Sequence, residues 1–187
     1  QYPTSWNIAR SDSIKFSPNH KLLAIVATST NRTSLFVYRF DDDSVKEVQL
    51  SQIDPSVLPT WSLDSKKIAL MTGRSDKLNY AYDLTTSQLS QIFSGVPIHF
   101  AWMPNSNDIA FIGDAACVTD CMTYSDLYLY HLTTSTTQVI TSPSFETLAE
   151  SMDKFLGISR FIWSPIHDRF YFEVYELSDV SSIAQLY

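Results

Sequence analysis

Residues 59–73, PTWSLDSKKIALMTG, set an apolar run on each side of a polar turn, and close variants recur along the chain. IKFSPNHKLLAIVAT begins at Ile14, FAWMPNSNDIAFIGD at Phe100 and FIWSPIHDRFYFEVY at Phe161. An aromatic residue precedes each turn: Phe16, Trp61, Trp102 and Trp163. Seven residues after each of these anchors an apolar residue, Leu23, Ile68, Ile109 or Phe170, opens the second run. Between them lie SPNHKL, SLDSKK, MPNSND and SPIHDR, with Pro at one fixed offset in three copies, where its restricted φ favours a turn. Each copy therefore reads as strand, tight turn, strand.

A third run follows in each copy and ends in Tyr: SLFVY to Tyr38, LNYAY to Tyr82, DLYLY to Tyr130 and SIAQLY to Tyr187. Three copies add a more polar fourth run, VKEVQL from Val45, QLSQI from Gln88 and TTQVI from Thr136. Four short strands per unit, with anchors 45, 41 and 61 residues apart, is the pattern of β-propeller blades. A sandwich has short strands too, but no reason to repeat its sequence. The expected fold is all-β over 1–187, a propeller of four-stranded antiparallel blades. About four blades are represented, in units near 13–50, 59–92, 98–141 and 160–187. The first two strands of a unit, being the most apolar, are expected to be covered on both faces, with the anchors filling the gaps between blades. Tyr187 aligns with the end of a third strand, and the expectation is a consecutive part of a larger propeller. A small propeller closed by an N-terminal strand is the other arrangement.

The long third spacing marks an insertion. In SPSFETLAESMDKFLGISR, residues 142–160, Phe145, Leu148, Ala149, Met152 and Phe155 recur at helical spacing. Pro143 or Ser144 can begin a helix and Gly157 can end it, which predicts an amphipathic helix over 143–157.

Composition agrees with a β protein. Of 187 residues, 44% are hydrophobic and 13% aromatic, enough for a core, while 18% are charged. The net charge of −7 and the absence of a Lys/Arg cluster argue against nucleic acid as a partner, since phosphate binding needs gathered cations. Asp41, Asp42 and Asp43 form the longest charge run, which reads as a solvated turn at a strand end. No apolar run is long enough for a transmembrane segment.

Units reading aromatic-Ser-Pro-Asn/Asp followed, after three residues, by Ile/Leu-Ala, then LYLYHLTTST, resemble the TolB-type, WD-like propeller repeats of bacteria. The resemblance spans Phe16 to Val26, Trp61 to Met71, Trp102 to Ile112 and Trp163 to Phe172. It implies a fold shared by periplasmic scaffolds, extracellular binding proteins and the propellers that gate prolyl-oligopeptidase-like serine peptidases. The turns here lack the Gly those repeats commonly place beside the Asp, and the Gly-His and Trp-Asp dipeptides of true WD repeats are absent.

Signatures of chemistry are few. Gly-x-Ser-x-Gly, His-Glu-x-x-His and phosphate-cradling Gly loops do not occur, so neither a catalytic site nor a cofactor is expected within the chain. His20 and His167 share one turn offset on different blades, too far apart for a joint metal site, and His99 stands on the side of its strand opposite its anchor. Cys117 and Cys121, in ACVTDC, can form a local disulfide, remain thiols, or bind a metal with Asp120 and His131. Asn31-Arg32-Thr33 is a glycosylation sequon. Propeller geometry puts the cysteine loop and the inserted helix on one face. The expected binding face is therefore centred on 114–126 and 143–157, with Asp114, Asp120, Tyr124, Phe145, Met152 and Phe155. The resulting expectation is a protein-binding or scaffold module, periplasmic or extracellular, in a larger chain or assembly. The alternative is the gating propeller of a serine peptidase with its catalytic domain elsewhere.

Overall fold

The computed structural model describes residues 6–8, 13–29, 32–50, 57–71, 78–94, 97, 99–105, 107–113, 126–140, 156–164, 169–176 and 185–186. They fall in two units, Gln1–Val96 and Pro97–Tyr187, each holding two antiparallel sheets. In the first unit β1 (Ile14–Phe16), β2 (Leu22–Ser29), β3 (Arg32–Arg39) and β4 (Ser44–Gln49) form one sheet in chain order. The next sheet is β5 (Leu58–Trp61), β6 (Lys67–Met71), β7 (Leu78–Asp83) and β8 (Gln88–Ser94). The second unit repeats the pattern with β9 (His99–Trp102), β10 (Asp108–Gly113), β11 (Asp126–His131) and β12 (Thr136–Val139). Its other sheet has β13 (Leu156–Ser164), β14 (Arg169–Glu176) and β15 (Gln185–Leu186).

The repeated register is the same in all four sheets. Phe16 pairs with Leu23, Trp61 with Ile68, Trp102 with Ile109 and Trp163 with Phe170. The strand-ending tyrosines complete the rows, Tyr38 opposite Leu23, Tyr82 opposite Ile68 and Tyr130 opposite Ile109. One face of each sheet thus carries an aromatic row, and alternation gives the other face to Ala24, Ala69 and Ala110.

Side-chain chemistry explains the first turn of each of the first three blades. The Ser17 hydroxyl donates to Asn19 Oδ1 (2.7 Å) and accepts from the Leu22 N–H (3.0 Å), while Asn19 Oδ1 also takes the Lys21 N–H (3.0 Å). In the second blade Ser62, Asp64, Lys67 and Lys66 make the same set at 2.7, 2.9 and 3.1 Å. Met103 replaces the serine in the third, and Asn105 Oδ1 alone holds the N–H groups of Asn107 and Asp108. These turns put His20 and Ser65 at φ 57° and 61°, the left-handed region that favours Gly. The second recurrent turn, from third to fourth strand, ends likewise on Asp43, Ser87 and Ser135 at φ 55–60°. In it Asp42 Oδ1 accepts from the N–H and hydroxyl of Ser44, and Tyr38 donates to Asp43. With Lys21 3.6 Å from Asp41, each member of the acidic run has a turn or surface partner.

Four expectations change. In the first and third sheets the most buried strands are the second and third, not the first and second, because those two have neighbours on both sides; in the second sheet the first and third strands are buried alike. Phe16, unlike Trp61, is not covered by another described sheet; it is 61% exposed. There is no helix among the described residues, and Leu156 and Gly157 open β13, paired with Glu176 and Tyr175. Gly157 reads as a helix stop in the sequence, but the eight-residue β14 offers it ladder partners, and a bulge between Ile158 and Arg160 restores the face of the following residues. Residues 143–155 of the expected helix lie outside the described residues. Finally, Leu186 pairs with Glu173, the position that Val26 holds in β2, so β15 lies toward the beginning of a third strand. Tyr187 itself is outside the described residues.

Two outcomes follow from the turns. Replacing His20 by Gly removes the left-handed strain of an exposed side chain and should raise stability by about 0.5–1 kcal/mol in urea unfolding. Burial pushes the Asp64 and Asp83 carboxyls up, yet bonds from Ser62, Lys66, Thr85 and Thr86 and the nearby Lys67 charge outweigh it and hold both below the usual carboxylate range. A depressed folded value gives stability that is full above the unfolded aspartate value, about 4, and is lost as pH falls through the folded value. Acid titration of the unfolding midpoint should show that loss, and Asp64→Asn with Asp83→Asn should flatten it.

Candidate functional site

Stacked sheets define two joints, one inside each unit. In the first, Leu22, Ala24, Val26, Leu35 and Val37 share a core with Trp61, Ile68, Leu70 and Tyr82. The small Ala24 lets the aromatic row of the second blade come close, near enough for Trp61 Nε1 to donate to the Lys15 carbonyl at 2.9 Å. The turns join as well, the Asn19 N–H donating to Ser65 Oγ at 3.1 Å. Lys46 closes the rim, bonded to the Ser87 hydroxyl and 5.7 Å from the Tyr82 ring centre. The second joint sets Ala110, Ile112 and Leu127 against Ile158, Phe161, Trp163 and Phe170. His99 is on the side opposite its anchor, and its ring meets Phe161 edge-on at 4.9 Å.

Each blade therefore has two unlike faces. The one bearing the aromatic row is here called incoming and the opposite one, with Ala24, Ala69 or Ala110 at its centre in the first three blades, outgoing. The incoming face of the first blade is open: Phe16, Phe40 and Val45 are 61, 44 and 46% exposed. Phe16 stacks on Phe40 at 6.0 Å, and Tyr38 meets Phe40 edge-on at 4.9 Å, so the rings hold one another in place. Phe40 was the residue missed in sequence, although a large apolar side chain in a polar turn, RFDDDS, is a readable signal.

The loop end of the sheets is the other surface. Ser29 pairs with Arg32 at the β2–β3 connection, and Gln49 leaves β4 beside Ser34 at that same end. Gly113 and Asp126 mark the equivalent end of the third blade, where residues 114–125 connect β10 to β11. A described cluster stands at the first blade's loop end. Arg32 lies 4.7 Å over the Trp6 ring and 3.8 Å from Glu47, and Trp6 meets Phe36 edge-on at 5.0 Å. Asp114, Cys117, Asp120, Cys121, Tyr124, Phe145, Met152, Phe155 and Asn31 lie outside the described residues. His131 is described, and its Nδ1 is 2.9 Å from Asp108 Oδ1, across the third blade. At the first joint's rim a cavity of about 290 Å³ is lined in part by Arg39, Ser44, Lys46 and Tyr82, at the low end for a small-molecule site.

Solved structures share this architecture. TolB from Acinetobacter baumannii superposes with a TM-score of 0.53 at 14% identity, over 93% of this chain and 42% of that one. The β-propeller domain of the Trilobed protease from Pyrococcus furiosus gives 0.55 at 16%, over 99% and 58%. Porphyromonas gingivalis dipeptidyl peptidase 4 gives 0.58 at 15%, over 87% and 29%. At these identities the likeness shows the fold, a β-propeller, and this chain spans about half or less of the lengths it matches. No protein-family model matches the chain, and no curated protein matches its sequence.

The Trp61 joint supplies a direct check. Trp61→Phe keeps an aromatic ring, though a smaller one, but strands the Lys15 carbonyl and should cost about 1–2 kcal/mol, whereas Trp61→Ala should cost about 3–5 kcal/mol by chemical denaturation. Equal losses for the two would mean that the indole bond, not the ring, carries the joint.

Proposed function

We propose that the chain is a non-enzymatic binding or scaffold propeller module, one component of a larger extracytoplasmic chain or assembly, which engages a protein partner through its loop end. The observation that carries the reading is the way each of the three four-stranded sheets gathers its second-to-third-strand connection and its fourth-strand exit at one end. That end displays Trp6 and Arg32, residue types enriched at protein interfaces, with Glu47 3.8 Å from Arg32. The buried strand residues of both joints are occupied in holding sheets together, which leaves recognition to the loops. Net charge of −7 disfavours a nucleic-acid partner. The extracytoplasmic setting is supported by the resemblance of the repeats to TolB-type ones, and a disulfide between Cys117 and Cys121, one of the three states open to that pair, would agree with it.

A second reading, the gating propeller of a serine peptidase, is favoured by the likeness to the Pyrococcus furiosus protease propeller domain. One experiment separates them. A photo-crosslinking residue at position 32, compared with position 41 in the turn at the other end of the same sheet, is placed in the protein at its natural length within its source cells. Crosslinks to a distinct protein from position 32 and not 41, with no labelling by a serine-reactive fluorophosphonate, are expected. Fluorophosphonate labelling of the chain would move the assignment to the peptidase reading; crosslinks from position 41 alone would sink the loop end as the binding surface.

A further inference from the structure

The open row on the first blade is an unfinished copy of a joint the molecule makes elsewhere. Phe16, Leu23, Tyr38 and Val45 are paired across β1 to β4 as Trp61, Ile68, Tyr82 and Leu89 are across β5 to β8. In the second blade that row is covered: Trp61, Ile68 and Tyr82 are 7, 0 and 1% exposed. What covers it is the outgoing face of the preceding sheet, with Ala24 at its centre. Trp163 and Phe170 pack in the same way on the face that holds Ala110. We propose that the incoming face of the first blade is the seat of one further four-stranded blade of the same polypeptide, whose outgoing face has a small residue where Ala24 stands. This rests on the reading of the chain as part of a larger propeller, and it names which surface continues the ring and what fits it. The proportion of the matched propellers that the chain spans, 42% of one and 58% of another, leaves room for such a blade.

The chemistry of the row narrows the occupant. With Phe16 in place of Trp the joint has no indole donor, so the arriving first strand must satisfy its own carbonyl, and the contact is apolar at its centre. A second copy docked through its fourth blade fits poorly. In that sheet Tyr171, paired with Ile162, stands at the position of Ala24, Ala69 and Ala110, and a phenol there would meet the Phe16 ring where the other joints present a methyl group. Ile162, 63% exposed on the same face, adds further bulk.

Thiol accessibility tests this. Phe16→Cys, and separately Phe40→Cys should the first fail to fold, are made with Cys117 and Cys121 changed to Ser in the protein at its natural length. Thr86→Cys, in an exposed turn, is the reference. Maleimide labelling is timed while light scattering gives the particle mass. The expected result is labelling at position 16 or 40 about tenfold slower than at 86, in a particle of one chain. Labelling as fast as at 86 would leave the face open and overturn the proposal. Protection only in a particle heavier than one chain would overturn it too, because a second copy or another protein would then be the occupant. A protected thiol with no partner crosslinked at position 32 would uphold this joint and remove the binding-module reading; an open face with that crosslink would do the reverse.

Discussion

Everything in the fold depends on how an aromatic row meets a small side chain. Trp61 lies in one core with Ala24 and bonds to the Lys15 carbonyl beside it, a contact possible only because the sheet it meets offers a methyl group at that position. Larger side chains there would hold the sheets apart and lose both the ring's contacts and the indole bond. The Ala110 face makes the same allowance for Trp163. A blade is stable because it is clamped this way, since a single small sheet has too little apolar area to close a core of its own.

The turns set the rows in register. With Ser17 and Asn19, or Ser62 and Asp64, closing the loop through side-chain bonds, the anchor and the residue seven positions later must face one another across the strands. That closure also accounts for non-glycine residues in the left-handed region at His20 and Ser65, where the side-chain network offsets a backbone cost of about 1 kcal/mol. Ser65 has a second task, accepting the Asn19 N–H from the neighbouring blade, which a glycine has no atom to do.

Much of this was legible in the sequence because the repeated pattern reports pairing directly. The seven-residue offset from Trp61 to Ile68 and the tyrosines at Tyr38, Tyr82 and Tyr130 correspond to rows in the sheets. Helical spacing in 142–160 was a weaker guide at its end: Gly157 belongs to a ladder because β14 extends far enough to pair with it, a tertiary fact that local pattern cannot carry. Exposure was equally hidden. Phe16 and Trp61 look alike in sequence, and only the presence of a sheet on one incoming face distinguishes them. Phe40 became part of the surface through Phe16 and Tyr38, contacts made across the strands and not along them.

The two unlike faces of each blade also give the repeats an order. If all incoming rows were aromatic and all outgoing centres alanine, any blade could follow any other, and copies could join head to tail without limit. Tyr171 breaks that equivalence: the fourth sheet carries an aromatic incoming row, with Trp163 and Phe170, and a bulky outgoing centre. Under the joint proposed for the first blade, a sheet seated on Phe16 needs the usual small residue, whereas one seated on the Tyr171 face needs a smaller anchor than Trp or a displaced one. Size complementarity at one position per blade thus discriminates between neighbours and opposes self-assembly.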